Sequence, residues 1–255
     1  MDRGTWIGLL LGITLLGVAI GFGPTPRIFF HPASTMVVVG GVIASTFIRF
    51  PLNHVSGALR IASRAFFTRV PDPQDVVRQI VGLAQIAKRL GANNLEKQAS
   101  LEGFLGQGLK MVVDRLDREH IEDRLLREIH ATQERHAQGQ EIFRFIATAA
   151  PSFGMVGTLI GMVQLFATLK DPSGVGGAMA LSLLSTLYGA VIAYLFAIPV
   201  AGKLELRSRE EMQMKRLMME GVMGIQAEMN PALLESQLNA SLAPRHQVRL
   251  HAGSR

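Results

Sequence analysis

Four apolar stretches, separated by polar and turn-forming segments, organise this chain of 255 residues. They cover residues 6–22, 34–48, 142–169 and 175–201. The last two each exceed the roughly 20 residues that a helix needs to cross a bilayer. Residues 34–48 are short for a span, but the apolar residues 28–30 before them can lie at the membrane interface. The pattern predicts an all-α integral membrane protein with four transmembrane helices.

Basic residues are unevenly distributed among the segments that connect these stretches. Residues 51–141 and the start of the tail are rich in Lys and Arg, whereas the two short connections carry Arg27 and Lys170. Because basic loops stay on the cytoplasmic side, both termini and the long middle segment are expected to be cytoplasmic. The net charge of +6 therefore indicates membrane orientation, and we expect no nucleic-acid partner.

The long middle segment has the pattern of a helical domain. Asp72 and Pro73 suit the N-cap and the first position of a helix, and Gly91 suits its end. A second helix is predicted to begin at Asn93, where Glu96 three residues later resembles a capping box. Methionines mark the helical tail, which predicts core packing more than an adaptable binding surface.

The expected division of the chain has four parts. Transmembrane helices 1 and 2 occupy residues 1–50, a cytoplasmic helical domain 51–141, transmembrane helices 3 and 4 residues 142–202, and a cytoplasmic helical tail 203–255.

Three charged residues flank the turn between the two helices of the middle segment: Lys88, Arg89 and Glu96. Basic groups at the end of one helix and an acid at the start of the next are favourable with the helix dipoles alone. The same charges would also steer a partner of complementary charge. Spacing by itself favours the first interpretation.

The third apolar stretch carries small and hydroxylated residues on one helical face. Pro151, Gly154, Thr158 and Gly161 fall near one another at helical spacing, and Gly157 with Gly161 permits close approach of another helix. Proline also frees a backbone carbonyl one turn earlier and can kink the helix.

The fourth stretch carries a similar stripe of Ser182, Thr186, Gly189 and Ala193. Such stripes are typical of helix packing in lipid, and they can also line a hydrated ion path. A path normally includes an ionisable residue within the membrane, yet none of the four apolar stretches contains an Asp or Glu. If ions pass, a partner chain is expected to supply the carboxylate.

The sequence offers little support for an enzyme. It has no cysteine, no phosphate-binding Gly-x-x-x-x-Gly-Lys loop and no nucleophile elbow. His130 and His136 point to different helix faces, so we expect no metal site and no cofactor.

Four motifs carry a family resemblance: residues 35–41 (TMVVVGG), 88–91 (KRLG) followed by Leu95 and Glu96, 150–161 (APSFGMVGTLIG) and 184–189 (LSTLYG) with Pro199. Together they resemble the MotA/PomA branch of the MotA/TolQ/ExbB channel superfamily, the flagellar motor stator A subunits. The resemblance covers nearly the whole chain. It implies a stator subunit that converts the flow of Na⁺ or H⁺ into torque for motility and chemotaxis.

The resemblance also implies partners and a location. Five A subunits are expected to surround two MotB/PomB-like B subunits, which supply the membrane Asp and a peptidoglycan anchor. The complex would lie among the lipids of the bacterial inner membrane, with FliG as its rotor partner. The translocated ion is cargo and not a cofactor.

Site residues follow from matching positions in the family motifs. Pro151, Thr158 and Thr186 would form the ion path. Gly154, Gly157, Gly161 and Pro199 would serve helix packing and conformational coupling, and Lys88, Arg89 and Glu96 would meet the rotor.

Two features of the resemblance leave a choice open. A threonine at Thr158 is similar to the sodium-driven members, which favours sodium, although the B subunit contributes the main ligand. Many members have Arg first where this chain has Lys88 and then Arg89, so either residue is a candidate for the rotor contact.

Two rival interpretations are kept. A TolQ/ExbB-like subunit would energise outer-membrane processes, but those proteins have three spans and an outward N-terminus. A membrane scaffold without an ion role would be indifferent to substitution at Pro151 and Thr186.

Overall fold

The structure, a computed structural model, describes residues 3–23, 25–67, 71–95, 103–169 and 172–242. Within these ranges the chain forms helices joined by short turns, and no strand occurs among them. The α-helices in chain order are α1 (Arg3–Gly21), α2 (Pro32–Thr35), α3 (Gly41–Arg49), α4 (Leu52–Phe67), α5 (Pro73–Leu90), α6 (Phe104–Val113), α7 (Arg118–Ala167), α8 (Pro172–Val191), α9 (Ile198–Gln226) and α10 (Pro231–Ala240). The prediction of an all-α fold is confirmed.

Two π-helical segments interrupt the apolar helices. Met36–Gly40 links α2 to α3, and Ile192–Ala197 links α8 to α9. Short 3₁₀ turns cover Pro26–Phe29 and Ala92–Leu95. In π segments the backbone hydrogen bonds join residues five positions apart, and such segments are frequent at functional sites.

Three helical spans are long and apolar enough to cross a membrane: Pro26–Arg49, Arg118–Ala167 and Gly174–Gln226. A further apolar helix, Ile7–Gly21, is shorter. These four helical segments overlap the four apolar stretches of the sequence.

The chain divides into two compact units. The first comprises Met1–Thr68 and His136–Leu206, and the second comprises Arg69–Arg135 and Arg207–Arg255. Helices α7 and α9 each contribute residues to both units.

The second unit has a conventional apolar core. Its largest fully buried side chains are Val77, Ile80, Leu95, Leu109, Ile121, Leu125, Ile129, Val222, Leu234 and Leu238. Burial of each such side chain contributes about 1.5–3 kcal/mol. Met212, Met214 and Met223 lie in the same core, which confirms the core interpretation of the methionine-rich tail.

Local signals fix the ends of α5. The Asp72 side chain accepts a hydrogen bond from the backbone N–H of Gln74, and Pro73 is the first helical residue. Gly91 ends the helix at a φ of 84°, a conformation that suits glycine. Glu96 lies outside the described residues, so the capping box it would complete stays a prediction.

In the first unit, a polar contact ties the segment before α2 to α8. The Tyr188 hydroxyl donates to the carbonyl of Phe29 and accepts from the backbone N–H of His31 at 3.1 Å. The buried Ser34 hydroxyl donates to the carbonyl of Leu181 at 3.3 Å. His31 also caps α2 through Nδ1, which accepts from the backbone N–H of Ser34. These bonds hold the turn after α1 against α8.

Candidate functional site

Glycines on α7 bring its backbone against α8. A Cβ at Gly161 would lie 2.7 Å from the backbone nitrogen of Ser182 and 2.8 Å from the carbonyl oxygen of Ala178. A Cβ at Gly154 would lie 3.0 Å from the carbonyl oxygen of Ser185. Real Cβ atoms essentially never come as close to backbone atoms as at Gly161, and they rarely come as close as at Gly154, so side chains at these positions would push the helices apart.

Close packing continues at Pro151. A Cβ at Gly189 would lie 2.5 Å from the carbonyl oxygen of Ala150 and 3.2 Å from Cα of Pro151. Pro151 lies inside α7 and has no N–H to donate to the carbonyl of Ala147. The helix is therefore one hydrogen bond short at the level where α8 presses against it.

The hydroxyls of Thr158 and Thr186 meet across the two helices, with 2.7 Å between their oxygens. Thr158 Oγ1 also lies 3.1 Å from the carbonyl oxygen of Gly154 and 3.2 Å from that of Ser182. Because each hydroxyl has one proton, the distances favour donation from Thr158 to a carbonyl and from Thr186 to Thr158. Thr158 is half-buried and Thr186 is exposed, so the Thr186 oxygen keeps lone pairs that face outward.

Ser182 on α8 and Thr158 on α7 each place a hydroxyl against the backbone carbonyl of the other residue. The Ser182 hydroxyl lies 3.2 Å from the carbonyl oxygen of Thr158, while the Thr158 hydroxyl contacts the carbonyl oxygen of Ser182. The sequence placed Ser182 on the small-residue stripe but did not assign it a contact. Its position one turn before Thr186 is the signal that identifies it, because both then share a face.

Ion pairs lie at the ends of the apolar stretches of the first unit. Arg49 contacts Glu141 at 2.8 Å and stacks over Phe145, with its guanidinium carbon 4.9 Å from the ring centroid. Arg144 contacts Glu205 at 2.7 Å. Both arginines stand near the ends of apolar stretches in the sequence, but sequence reasoning did not identify their acidic partners. The sequence did contain one signal for these partners, because Glu141 and Glu205 each lie close to the end of an apolar stretch.

Pro199 lies at the second position of α9, directly after the π segment Ile192–Ala197. Proline cannot donate to the carbonyl of Leu195, so regular α-helical bonding is interrupted there. The predicted coupling residue therefore lies two residues after a widened helical turn.

Two of the predicted rotor residues, Lys88 and Arg89, belong to the second unit. Lys88 and Arg89 are exposed in the last turn of α5, where their charges also suit the helix dipole. Glu96, the third predicted rotor residue, lies outside the described part of the chain.

No group of three or more metal-ligating side chains occurs among the described residues. The site therefore consists of hydroxyls, carbonyls and close helix contacts. Such a surface can offer oxygen ligands to a small cation, but the two apolar stretches that form it supply no carboxylate.

Comparison with known proteins places the chain in a family. The model of the MotA/TolQ/ExbB proton channel family matches residues 96–217. Chemotaxis protein PomA of Vibrio alginolyticus is 36% identical over 238 residues, which cover 93% of this chain and 94% of that protein. The chain belongs to the MotA/PomA family of flagellar motor stator subunits. The family indicated by the motifs is thus confirmed, and MotA/PomA proteins are channel subunits and not enzymes.

Solved structures agree with the MotA/PomA assignment. The flagellar MotAB stator complex of Bacillus subtilis contains a chain that matches with a TM-score of 0.86 at 26% identity, covering 96% of this chain and 97% of that one. The C. jejuni MotAB structure matches with a TM-score of 0.88 at 21% identity, covering 98% and 100%. The fold is therefore the MotA fold along almost the whole chain.

Proposed function

We propose that this MotA/PomA-family chain is the A subunit of a flagellar stator, in which ion flow drives torque on the rotor. The observation that carries the proposal is the Thr158–Thr186 hydroxyl pair, which opens at the surface of two membrane helices without a carboxylate. The full-length similarity to PomA supports the same function.

A B-type subunit completes the channel in this proposal. The structurally similar chains come from MotAB complexes, and the apolar stretches of this chain contain no carboxylate to serve an ion path. The B subunit would place a membrane Asp against the hydroxyl pair and anchor the complex to peptidoglycan. Five copies of this chain around two B subunits would repeat the hydroxyl surface around the central helices.

In the ion path, Thr158 and Thr186 would share coordination of the ion with the partner's carboxylate. The outward lone pairs of Thr186 suit a partly dehydrated Na⁺, which prefers oxygen ligands, and this favours sodium over protons. Pro151 lies two turns from Thr158 on the same helix and lacks one backbone bond. A change of charge at the carboxylate would therefore bend α7 most easily at Pro151.

The membrane arrangement in this proposal has four spans in the bacterial inner membrane, with both termini cytoplasmic. Basic residues after the second and fourth spans support this orientation. Residues 1–50 and 142–202 would be membrane-embedded, whereas 51–141 and 203–255 would form the cytoplasmic part. The division of the helices into two compact units is compatible with that arrangement.

The rotor surface would be formed by Lys88, Arg89 and Glu96 and would meet FliG. Exposure of Lys88 and Arg89 at the end of α5 supports this assignment. Because the turn carries both positive and negative charges, it would orient FliG as well as attract it.

Charge reversal at this turn should weaken motility. Arg89→Glu is expected to lower swimming speed severalfold because it replaces attraction to the rotor by repulsion. A compensating reversal of an acidic residue on FliG should restore part of the speed. Arg78→Glu is the control, because Arg78 is exposed on the same helix and pairs with Asp75 within the chain. Failure of every FliG reversal to compensate would contradict direct charge contact.

The test of the proposed function is swimming speed in cells that depend on this chain and its B partner. External sodium is varied at fixed pH and fixed proton motive force. Speed that rises with sodium and vanishes without it would support a sodium-driven stator. Speed that ignores sodium but is abolished by a protonophore would assign protons instead. Absence of motility in both conditions, with the chain present in the membrane, would contradict the stator proposal and favour the TolQ/ExbB-like function.

A further inference from the structure

Helix α1 touches the rest of the first unit closely at Gly12. A Cβ there would lie 2.5 Å from Cδ1 of Leu195, in the π segment before α9. From this contact toward the first residue of α1, a groove of about 550 Å³ opens between α1 and the start of α9. Its walls include Gly4, Gly8 and Pro199. The groove follows α9 for about two turns, as far as Leu206.

Glycines keep this groove open. A Cβ built at Gly8 or at Gly202 meets no atom within 4 Å. These positions differ from Gly161 and Gly189, where a Cβ would strike backbone atoms. Gly8 and Gly202 therefore leave open space along the apolar wall of the groove, and they do not serve a close contact between helices.

One of the residues that line the groove carries a positive charge. Lys203 lines it and is only 9% exposed, although it also interacts within the chain. Among the described lining residues, Lys203 is the charged one. Lysines near the ends of membrane helices usually extend their ammonium group into water, whereas this lysine is held against an apolar groove.

We infer that the groove binds an anionic phospholipid of the cytoplasmic leaflet. An acyl chain would occupy the space beside Gly8 and Gly202, and the phosphate would contact Lys203. Basic pockets between membrane helices on the cytoplasmic side recognise anionic headgroups in this way. The inference rests on the proposed membrane orientation, because that orientation places Lys203 at the anionic leaflet. Charge complementarity and the narrow apolar wall favour a lipid over a second protein chain.

The experiment counts lipids bound to the intact complex of this chain with its B subunit. The complex is purified in dodecyl maltoside micelles that contain equal amounts of phosphatidylglycerol and phosphatidylcholine, and retained lipids are counted by native mass spectrometry. Wild type should retain phosphatidylglycerol about fivefold better than phosphatidylcholine. Lys203→Gln should abolish that preference, while Lys203→Arg should keep it.

The second part of the experiment uses a variant whose side chain fills the groove. Gly8→Leu should remove the retained phosphatidylglycerol because its side chain occupies the open space. Gly17→Leu is the matched control, since Gly17 lies on the same helix, is exposed, and has no atom within 4 Å of the place that a Cβ would take. Circular dichroism and the mass of the complex verify that each variant folds and assembles.

Three outcomes would overturn the inference. Equal retention of both lipids by wild type would exclude headgroup recognition. Unchanged phosphatidylglycerol in Gly8→Leu would place the lipid elsewhere. Loss of subunits from Gly8→Leu with lipid retention intact would show that protein covers the groove. The experiment measures bound lipid and neither motility nor ion flux. A negative result would therefore count against the lipid site and leave the stator proposal untouched.

Discussion

Gly189→Ala should abolish swimming even though it adds a single methyl group. The new Cβ would lie 2.5 Å from the carbonyl oxygen of Ala150, and neither backbone can yield without separating α7 from α8. Overpacking of this kind costs about 1–3 kcal/mol, and here it falls beside Pro151, where α7 lacks a backbone bond. Swimming in soft agar and the thermal stability of the purified complex are the measurements.

Gly177→Ala is the matched control for that substitution. Gly177 lies on the same helix and is exposed, and a Cβ there meets no atom within 4 Å. Both substitutions stabilise the helix by about the same amount, up to about 1 kcal/mol, through the higher helix propensity of alanine. A difference in motility or thermal stability between the two variants therefore reports the contact with Ala150. Wild-type motility in Gly189→Ala would show that α7 and α8 separate without functional cost.

Thr186→Val should lower ion flux about 10- to 100-fold. Valine keeps the shape of threonine but removes the outward lone pairs, and a bond to a charged group is worth about 1.5–3 kcal/mol. Thr186→Ser should restore most of the flux because it returns the oxygen. Flux is measured in vesicles that contain the complex with its B subunit, and vesicles with this chain alone give the background.

The two threonines should differ in the size of the effect. Thr158→Val removes the acceptor that orients the Thr186 hydroxyl, so the flux should fall less than in Thr186→Val. Thr148→Val is the control, because Thr148 is on α7 and its hydroxyl donates to the carbonyl of Phe145 in its own helix. Wild-type flux in Thr186→Val would contradict a ligand role for this residue.

The sequence predicted the features that depend on neighbours along the chain. Asp72 with Pro73 starts α5 and Gly91 ends it, because capping uses atoms within one turn of the helix. The start of α10 uses the same kind of local signal, with the Asn230 side chain accepting from the backbone N–H of Ala232 and Pro231 as the first helical residue.

Spacing also placed the glycine and hydroxyl residues of α7 and α8 on single faces, since helical geometry fixes which residues share a side. It could not give the axial offset of one helix against the other. That offset decides that Thr158 meets Thr186 and that Ser182 bonds to the backbone at Thr158. The acidic partners of Arg49 and Arg144 depend on the same information.

The π segments were not predicted from the sequence. Ile192–Ala197 precedes Pro199, which explains the interruption there. Met36–Gly40 has no proline at the corresponding place, so its widened turn depends on packing. Tyr188 lay within a recognised motif, yet its bonds to residues about 160 positions earlier are set by tertiary structure.

The reciprocal bonds between Thr158 and Ser182 have a mechanical consequence. Each hydroxyl contacts a carbonyl of the other helix and, at a similar distance, a carbonyl of its own helix, which is that of Gly154 for Thr158 and that of Ala178 for Ser182. Because each hydroxyl has one proton and rotates freely, it can turn from one carbonyl to the other when α8 slides along α7. A small axial shift therefore costs neither hydroxyl its hydrogen bond.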